Sequence, residues 1–311
     1  MNILVTGGAG FIASHIVDAY VNLGHAVTII DDLTTGKRVN VNPAARFVQG
    51  DIRDAVAVEK LFHEGKFDVI NHHAAQMDVR RSVADPVFDA SVNVVGVLTL
   101  LEVAVRTGVK RVIFASSGGA IYGEQEYFPA DEQHPTRPIS PYGVAKLTTE
   151  QYLFYYKAVY GIEWVALRYA NVYGPRQNPE GEAGVIAIFT TKMLKGDQPV
   201  INGDGRQTRD YVYVGDVVQA NVAALSYPGS TVFNVGTGIE TDVNVLFQEL
   251  RRITGSHCEE RHGEAKKGEQ LRSVLDTKKI KKELNWSPQV RLSEGFQLTV
   301  DFFRRQSAHG A

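Results

Sequence analysis

Val5-Thr6-Gly7-Gly8-Ala9-Gly10-Phe11-Ile12-Ala13-Ser14 joins a strand-like run, Asn2 to Thr6, to a helical one. Glycine at Gly7 and Gly10 lets the backbone turn tightly there and approach an anion seated at the N-terminus of the following helix, as a dinucleotide pyrophosphate is. Ala13 stands where a third glycine is more usual, and its methyl group still permits close helix-to-sheet packing. A glycine-rich turn alone also serves any strand-to-helix connection, so the reading depends on the residues downstream of the turn. The next strand-like run, Ala26 to Asp31, ends at Asp31-Asp32, about where a carboxylate accepts from the adenosine ribose hydroxyls. An acid there repels a 2′-phosphate and favours NAD over NADP, with Lys37 and Arg38 pulling weakly the other way. Asp51, in Gly50-Asp51-Ile52, comes after a third strand and is a candidate acceptor for the adenine amino group; by itself it reads as a helix cap.

Short β-branched runs at Ile3 to Thr6, Ala26 to Asp31, Phe47 to Gln49, Val69 to Asn71 and Arg111 to Ser116 alternate with longer helix-period segments. That alternation predicts an α/β fold, a doubly wound parallel sheet of Rossmann type. A further strand, Trp164 to Tyr169, comes after a helix beginning near Pro141. The long loop Gly174 to Gly181 then opens a smaller C-terminal α/β lobe. The expected division is 1–170 for the dinucleotide-binding domain and 171–311 for a discontinuous lobe, with strand 231–236 returning to the main sheet.

The chain of 311 residues has a formal net charge of −2, which leaves no electrostatic footprint for nucleic acid or an anionic membrane. The longest apolar stretch, Val92 to Val105, carries Asn93, Thr99 and Glu102, and reads as a buried helix, not a membrane span. A strand directly after Met1 leaves no room for a cleavable signal, and the one cysteine, Cys258, cannot form an internal disulfide. Both point to the cytoplasm, with Cys258 a bystander.

Of the thirteen tyrosines, Tyr142 is the one followed four positions on by lysine, in Ser140-Pro141-Tyr142-Gly143-Val144-Ala145-Lys146. On a helix that spacing puts phenol and ammonium on one face. A cation there favours the phenolate, so a group with a usual pKa of about 10 can act as a base nearer neutrality. An isolated match is more often a half-exposed tyrosine beside a solvated lysine; downstream of the Gly7 loop it reads as a dehydrogenase active site. His72 and His73 invite a metal or general-base reading, but no ligand cluster accompanies them. Packing or cofactor contact is the expectation, with no metal, and His15 is expected to be structural.

Taken in order, Thr6 to Ile12, Asp31, Asp51-Ile52, His73-Ala74-Ala75-Gln76, Asn93, Ser116 to Gly123, Tyr142 with Lys146, Arg168 to Asn171 and Arg209-Asp210-Tyr211 resemble the extended short-chain dehydrogenase/reductase family, nearly end to end, and within it the UDP-glucose 4-epimerase branch. The resemblance implies an NAD site made of Gly7, Gly10, Phe11, Ile12, Asp31, Asp32, Gly36, Asp51, Ile52, His73, Ala74, Ala75, Gln76, Asn93, Tyr142, Lys146, Tyr169 and Ala170. It implies that Ser117 bonds the sugar 4-hydroxyl, that Tyr142 takes its proton, and that Lys146 holds the nicotinamide ribose and lowers the tyrosine pKa. In the family, hydride passes from sugar C4 to NAD and returns to the other face of a 4-keto intermediate. A UDP-sugar would meet Asn171, Gly184, Val185, Asn202, Arg209, Lys266, Glu269 and Ser273. Asn202 replaces a frequent aromatic near uracil, and Lys266 and Glu269 replace a nucleotide-clamping arginine and aspartate; lysine lacks arginine's planar bidentate contact. Small Ser273, where the family uses a bulky tyrosine to restrict the sugar pocket, extends the expectation to UDP-GlcNAc and UDP-GalNAc.

The same resemblance carries the expectation of a homodimer. Two rivals stay open: a decarboxylase or 4,6-dehydratase working from the same keto sugar, and a non-catalytic dinucleotide sensor. The first would place an acid where Gly118 and Gly119 stand, and the second usually loses the Tyr-Lys pair.

Overall fold

The computed structural model describes residues 1–180, 184–265 and 270–309. Its strands are β1 (Asn2–Thr6), β2 (Ala26–Asp31), β3 (Arg46–Gln49), β4 (Val69–His72), β5 (Arg111–Ser117), β6 (Glu163–Tyr169), β7 (Asn171–Tyr173), β8 (Ile201–Asn202), β9 (Thr208–Tyr213), β10 (Thr231–Val235), β11 (Glu240–Asp242), β12 (His262–Gly263) and β13 (Arg272–Ser273). Seven of them form one parallel sheet in the order β10-β6-β5-β4-β1-β2-β3. From β1 the chain winds first outward through β2 and β3, then back to β4 and outward the other way. The winding reverses between β1 and β4, and in such sheets the crevice beyond the strands' carboxyl ends at that point is where ligands bind.

Both sheet faces are covered, which is why the strands are continuous apolar runs and not alternating ones. Along β1 the period of two sends Ile3 and Val5 into one core and Leu4 into the other. The first core is closed by helices Phe11–Asn22 and Val214–Ala224, the second by Ala55–Gly65, Gly96–Thr107 and Pro141–Tyr160. The apolar stretch at Val92 lies in a continuous helical run, Pro86–Thr107, with a π-helical turn at Ser91–Val95. The run is long and apolar enough to cross a membrane by composition alone. Val97, Leu100, Leu101, Val103 and Ala104 are packed into the sheet's second core, while Val87 and Val95 face outward.

The smaller lobe is built around β9, which pairs antiparallel with β11 and parallel with β7 and β13. Its core gathers Tyr173, Phe189, Leu246, Phe247, Phe296 and Val300. The span 171–311 is shared between the two units: β10 is the edge strand of the large sheet, and Ile280 and Trp286 lie in that sheet's first core. Asp210, at 2% exposure on β9, ties the units together. Its carboxylate accepts from the Thr237 N–H and hydroxyl just beyond β10, from Gly238 N–H, and from Leu275 N–H after β13.

Candidate active site

At the end of β1, Gly7 adopts φ +69°, and a Cβ there would lie 2.7 Å from the Ala74 nitrogen. The loop after β1 and the loop after β4 touch backbone to backbone, an approach that only glycine permits. Helix Phe11–Asn22 begins after Gly10 with no side-chain cap and no acid in its first turn. Its first N–H groups are therefore open to an anion. Asp31 is buried at the end of β2, accepting from Ala9 N–H at 3.0 Å and Leu33 N–H at 2.8 Å. Burial pushes its carboxyl above the usual range against those two bonds. A Cβ on Gly36 would come 2.6 Å from its Oδ1, so the loop closes directly over the acid. The glycine cradle, the uncapped helix and the buried acid are what a dinucleotide requires at its pyrophosphate and ribose, and they fit NAD.

The neighbouring positions differ in exposure. Asp32 is exposed and caps the Thr34 N–H, whereas Asp51 is engaged by the Arg53 guanidinium, which holds its carboxyl low. Ile52 is buried beneath Gly96, while Phe11, Ile12, Ala74 and Ala75 are half-buried. Asn93 bridges Gln76, donating to its carbonyl at 2.8 Å and accepting from its N–H at 2.9 Å. The loop leaving β4 is thereby clipped to the π-helical turn.

Ser117 is the last residue of β5, and Tyr142 and Lys146 lie on helix Pro141–Tyr160. Pro141 opens that helix and Ser140 Oγ accepts from Gly143 N–H at 3.2 Å, a proline start with a serine cap. The Ser117 hydroxyl is near enough to the Tyr142 phenol to favour its ionised form. Lys146 Nζ lies 5.5 Å from the Tyr142 ring centroid, 4.8 Å from that of Phe114, and donates to the Ala115 carbonyl at 2.8 Å.

One expectation is corrected by this geometry. Tyr142 is not held low by its lysine: burial pushes the phenol above its usual range, the Asp89 charge adds to the rise, and the Ser117 hydroxyl opposes it. Lys146 itself is lowered to about 8 by burial, against the charges of Asp89 and Glu150. The spacing of four sets the common face but not the desolvation, which acts more strongly on the phenolate than the nearby ammonium does.

The helix is locked in place by a network that local spacing does not reveal. Glu150, one turn beyond Lys146, receives the Arg168 fork at 3.0 and 2.6 Å and the Ser116 hydroxyl at 2.6 Å. Arg168 also donates to the Tyr122 hydroxyl, which donates to Asn234 on β10. The signal for Glu150 was available, since it repeats the four-residue step from Lys146. Asp89, whose charge bears on both catalytic residues, accepts from Asn93 four positions on and from Gln76, which only the fold brings to it.

His73 Nε2 lies 3.1 Å from the Tyr169 hydroxyl, which accepts from Asn221 Nδ2 at 2.8 Å. Burial and Lys146 push His73 down to about 3, and His72, against Thr6 Oγ1 at 2.7 Å, is also pushed well down. Both rings are neutral and neither is a proton donor at neutral pH. His15 binds the Pro175 carbonyl. Among the described residues, no group of three or more His, Cys, Asp or Glu side chains could hold a metal ion.

On the lobe side, Arg209 and Ser273 are in register on β9 and β13, and Ser273 is only 4% exposed, so it is not a surface residue. Asn171 opens β7, with its Oδ1 3.9 Å from where a Cβ on Gly119 would stand. Ala170, just before it, donates its N–H to Val235. Gly184 caps helix Val185–Lys195 without a side-chain bond, which leaves a second open helix N-terminus. Asn202, on β8, is half-buried, and its carbonyl accepts from Gln207 Nε2. Lys266 and Glu269 lie outside the described residues.

Comparison with known proteins agrees with this arrangement. Residues 3–236 match the model of the NAD dependent epimerase/dehydratase family. The chain is 48% identical over 305 residues to a putative UDP-glucose 4-epimerase of Methanocaldococcus jannaschii, covering 98% of this chain and 99% of that one. Among solved structures, the UDP-glucose 4-epimerase of Thermotoga maritima with UDP-glucose is 49% identical, with a TM-score of 0.97 over 99% of this chain and 100% of that one. That of Thermus thermophilus in complex with NAD is 45% identical, with a TM-score of 0.93 over 98% and 99%. A match from β1 to the turn after β10, carrying the glycine cradle, Asp31 and the Ser117–Tyr142–Lys146 cluster together, means that the chain belongs to the NAD-dependent epimerase/dehydratase family.

Proposed function

We propose that this chain interconverts UDP-glucose and UDP-galactose, with Ser117 and Tyr142 handling the proton of the sugar 4-hydroxyl. The observation that carries the reading is the gathering of Ser117 at the end of β5 with Tyr142 and Lys146 on the facing helix, next to the NAD-fitting cradle at the sheet's reversal point. Bound NAD supplies the acceptor that takes hydride from C4 and returns it. Tyr142 accepts the hydroxyl proton as the keto sugar forms and gives it back, and Ser117 orients that hydroxyl. The Lys146 ammonium, mostly charged at neutral pH, stabilises the phenolate. On the other lobe, Asn171, Arg209 and the open helix end at Gly184 and Val185 hold the diphosphate, and Asn202 faces the nucleoside.

Elimination is disfavoured by the turn after β5. Neither Gly118 nor Gly119 carries an acid, and a Cβ on Gly118 would have to displace the Leu275 side chain, 2.6 Å away. The buried position of Ser273 beside Arg209 supports the extension to the N-acetylated pair. The exposed apolar side chains of helices Pro86–Thr107 and Pro141–Tyr160 support a homodimer, and the lone cysteine supports a cytoplasmic enzyme, to be checked by fractionation.

The test is to incubate purified protein with UDP-galactose and no added NAD. UDP-glucose should form, and denaturation should release NAD and not NADP. Tyr142→Phe should turn over about two to four orders of magnitude more slowly, the usual loss for a general acid/base. A dehydrated or decarboxylated product, or no conversion, refutes the reading.

A further inference from the structure

Ser116 stands between two residues of β5 that the chemistry above uses. The carbonyl of Ala115 before it receives the Lys146 ammonium at 2.8 Å, and Ser117 after it orients the sugar hydroxyl. The period of two along β5 sends Ala115 into the sheet's first core and Phe114 into the second, so Ser116 lies on the second face, under helix Pro141–Tyr160. There it is 3% exposed, and its hydroxyl donates to Glu150 Oε1 at 2.6 Å. Tyr142, Lys146 and Glu150 follow one another at steps of four along that helix. Neighbouring residues of the strand therefore meet neighbouring turns of the helix: Ala115 receives Lys146, and Ser116 reaches Glu150. The Ser116 bond is not needed to satisfy the carboxylate. Arg168, opposite Ser116 in the β5–β6 register, places its fork on Glu150 at 3.0 and 2.6 Å, and both ends of that ion pair are buried. Arg168 also donates to the Tyr122 hydroxyl, which donates to Asn234 on β10. Glu150 is a fixed post, and the Ser116 hydroxyl is a separable link from it to the strand end.

We propose that Ser116 is a positioning residue: its hydroxyl, bonded to Glu150, fixes the end of β5 against the catalytic helix and so sets Ser117 in place beside Tyr142 and Lys146. This rests on the reading of those three residues as the catalytic group. The helix itself is tied on another side, where Tyr142 N–H donates to Ser82 Oγ at 3.3 Å and Thr149 Oγ1 donates to the Asn93 carbonyl at 3.2 Å. Those bonds hold the helix to the segment before β5 and do nothing for the strand. Past Ser117 the chain turns through Gly118 and Gly119, which supply no side chain to hold the serine from that direction. The tie must therefore come from the residue before it. A buried polar network with its members satisfied rigidifies what it joins, and turnover falls steeply when reacting groups shift by as little as an ångström.

Ser116→Ala removes the hydroxyl and leaves the Arg168 fork on Glu150, so no buried charge is orphaned. It should lower kcat on UDP-galactose about 10- to 100-fold, the cost of misplaced reacting groups, with KM within about twofold and copurified NAD unchanged. Ser116→Cys, close to serine in size but a weak donor, should do the same and serves where the alanine variant fails to fold. Ser116→Thr, which carries the hydroxyl back, should return kcat to within about threefold of wild type. A residue that served folding alone would lower the thermal midpoint and leave kcat of the folded protein unchanged. Hydrogen exchange of the segment 114–119, read by mass spectrometry on protein as purified, follows the strand end without turnover. It should quicken in the Ala and Cys variants and stay at the wild-type rate in the Thr variant. Unchanged kcat in the Ala and Cys variants of an active enzyme, a Thr variant that loses as much as they do, or unchanged exchange overturns the proposal. Quickened exchange in a protein that does not epimerise would refute the function above and leave the Ser116 tie standing.

Discussion

Ser273 bears on which sugars can turn over in the site. It is buried on β13 in register with Arg209, and a larger side chain there must project into space that is now free or displace its neighbours. Wild-type protein should accept UDP-GlcNAc. Ser273→Tyr should lose roughly 100-fold or more in kcat/KM on that substrate while UDP-galactose stays within about threefold, because a steric block discriminates by size. Parallel losses on both substrates would show that the residue does not gate the acetamido group. At this scale the sequence was legible wherever chemistry is written in local spacing. Tyr142 with Lys146 is one helical step, and Gly7 with Gly10 is one turn. It was illegible where burial decides. Nothing in the spacing of Tyr142 announces that desolvation raises its phenol, or that the charge of Asp89, distant in sequence, bears on it.

The β1 loop and the helix after it act as one element, and their two glycines make different demands. Gly7 combines φ +69° with a Cβ position 2.7 Å from backbone, whereas Gly10 has φ −78° and its Cβ would stand 3.1 Å from the Gly7 carbonyl. Gly7→Val therefore should force the β1 and β4 loops apart and abolish copurified NAD, with about 1–3 kcal/mol of backbone strain added. Gly10→Ala should keep measurable cofactor. Released nucleotide per protomer and the thermal midpoint of each variant check this; equal NAD content in both would contradict it. The strands were readable because a parallel sheet covered on both faces is written as short β-branched runs. The π-helical turn at Ser91–Val95 was not, since its extra residue is fixed by Asn93 bridging to the β4 loop and not by any local propensity. β13 is two residues long, and only its pairing with β9 identifies it as a strand.

Across the whole molecule, Val87, Val95, Val144, Phe154 and Val159 remain exposed on two adjacent helices, at 49 to 79%. Large apolar side chains exposed along two packed helices are candidates for an interaction site, and a two-fold pairing of the helices with those of a second copy would bury them. The mass in solution should be twice that of the chain, and Phe154→Glu should shift it to the monomer with the fold retained. A wild-type monomer at micromolar concentration would remove the dimer reading. The doubly wound class was legible in the alternation of runs, but the way the lobes share the chain was not, because Ile280 and Trp286 carry no sign that they belong to the first core. That sharing bears on the order in which the protein is made. When synthesis has reached Tyr169, the large sheet still lacks its edge strand, and Asp210 has not yet met Thr237 or Leu275. The nucleotide cradle is translated first, yet its supporting core is completed only when Trp286 has left the ribosome, so the N-terminal half does not close its core before most of the C-terminal half exists.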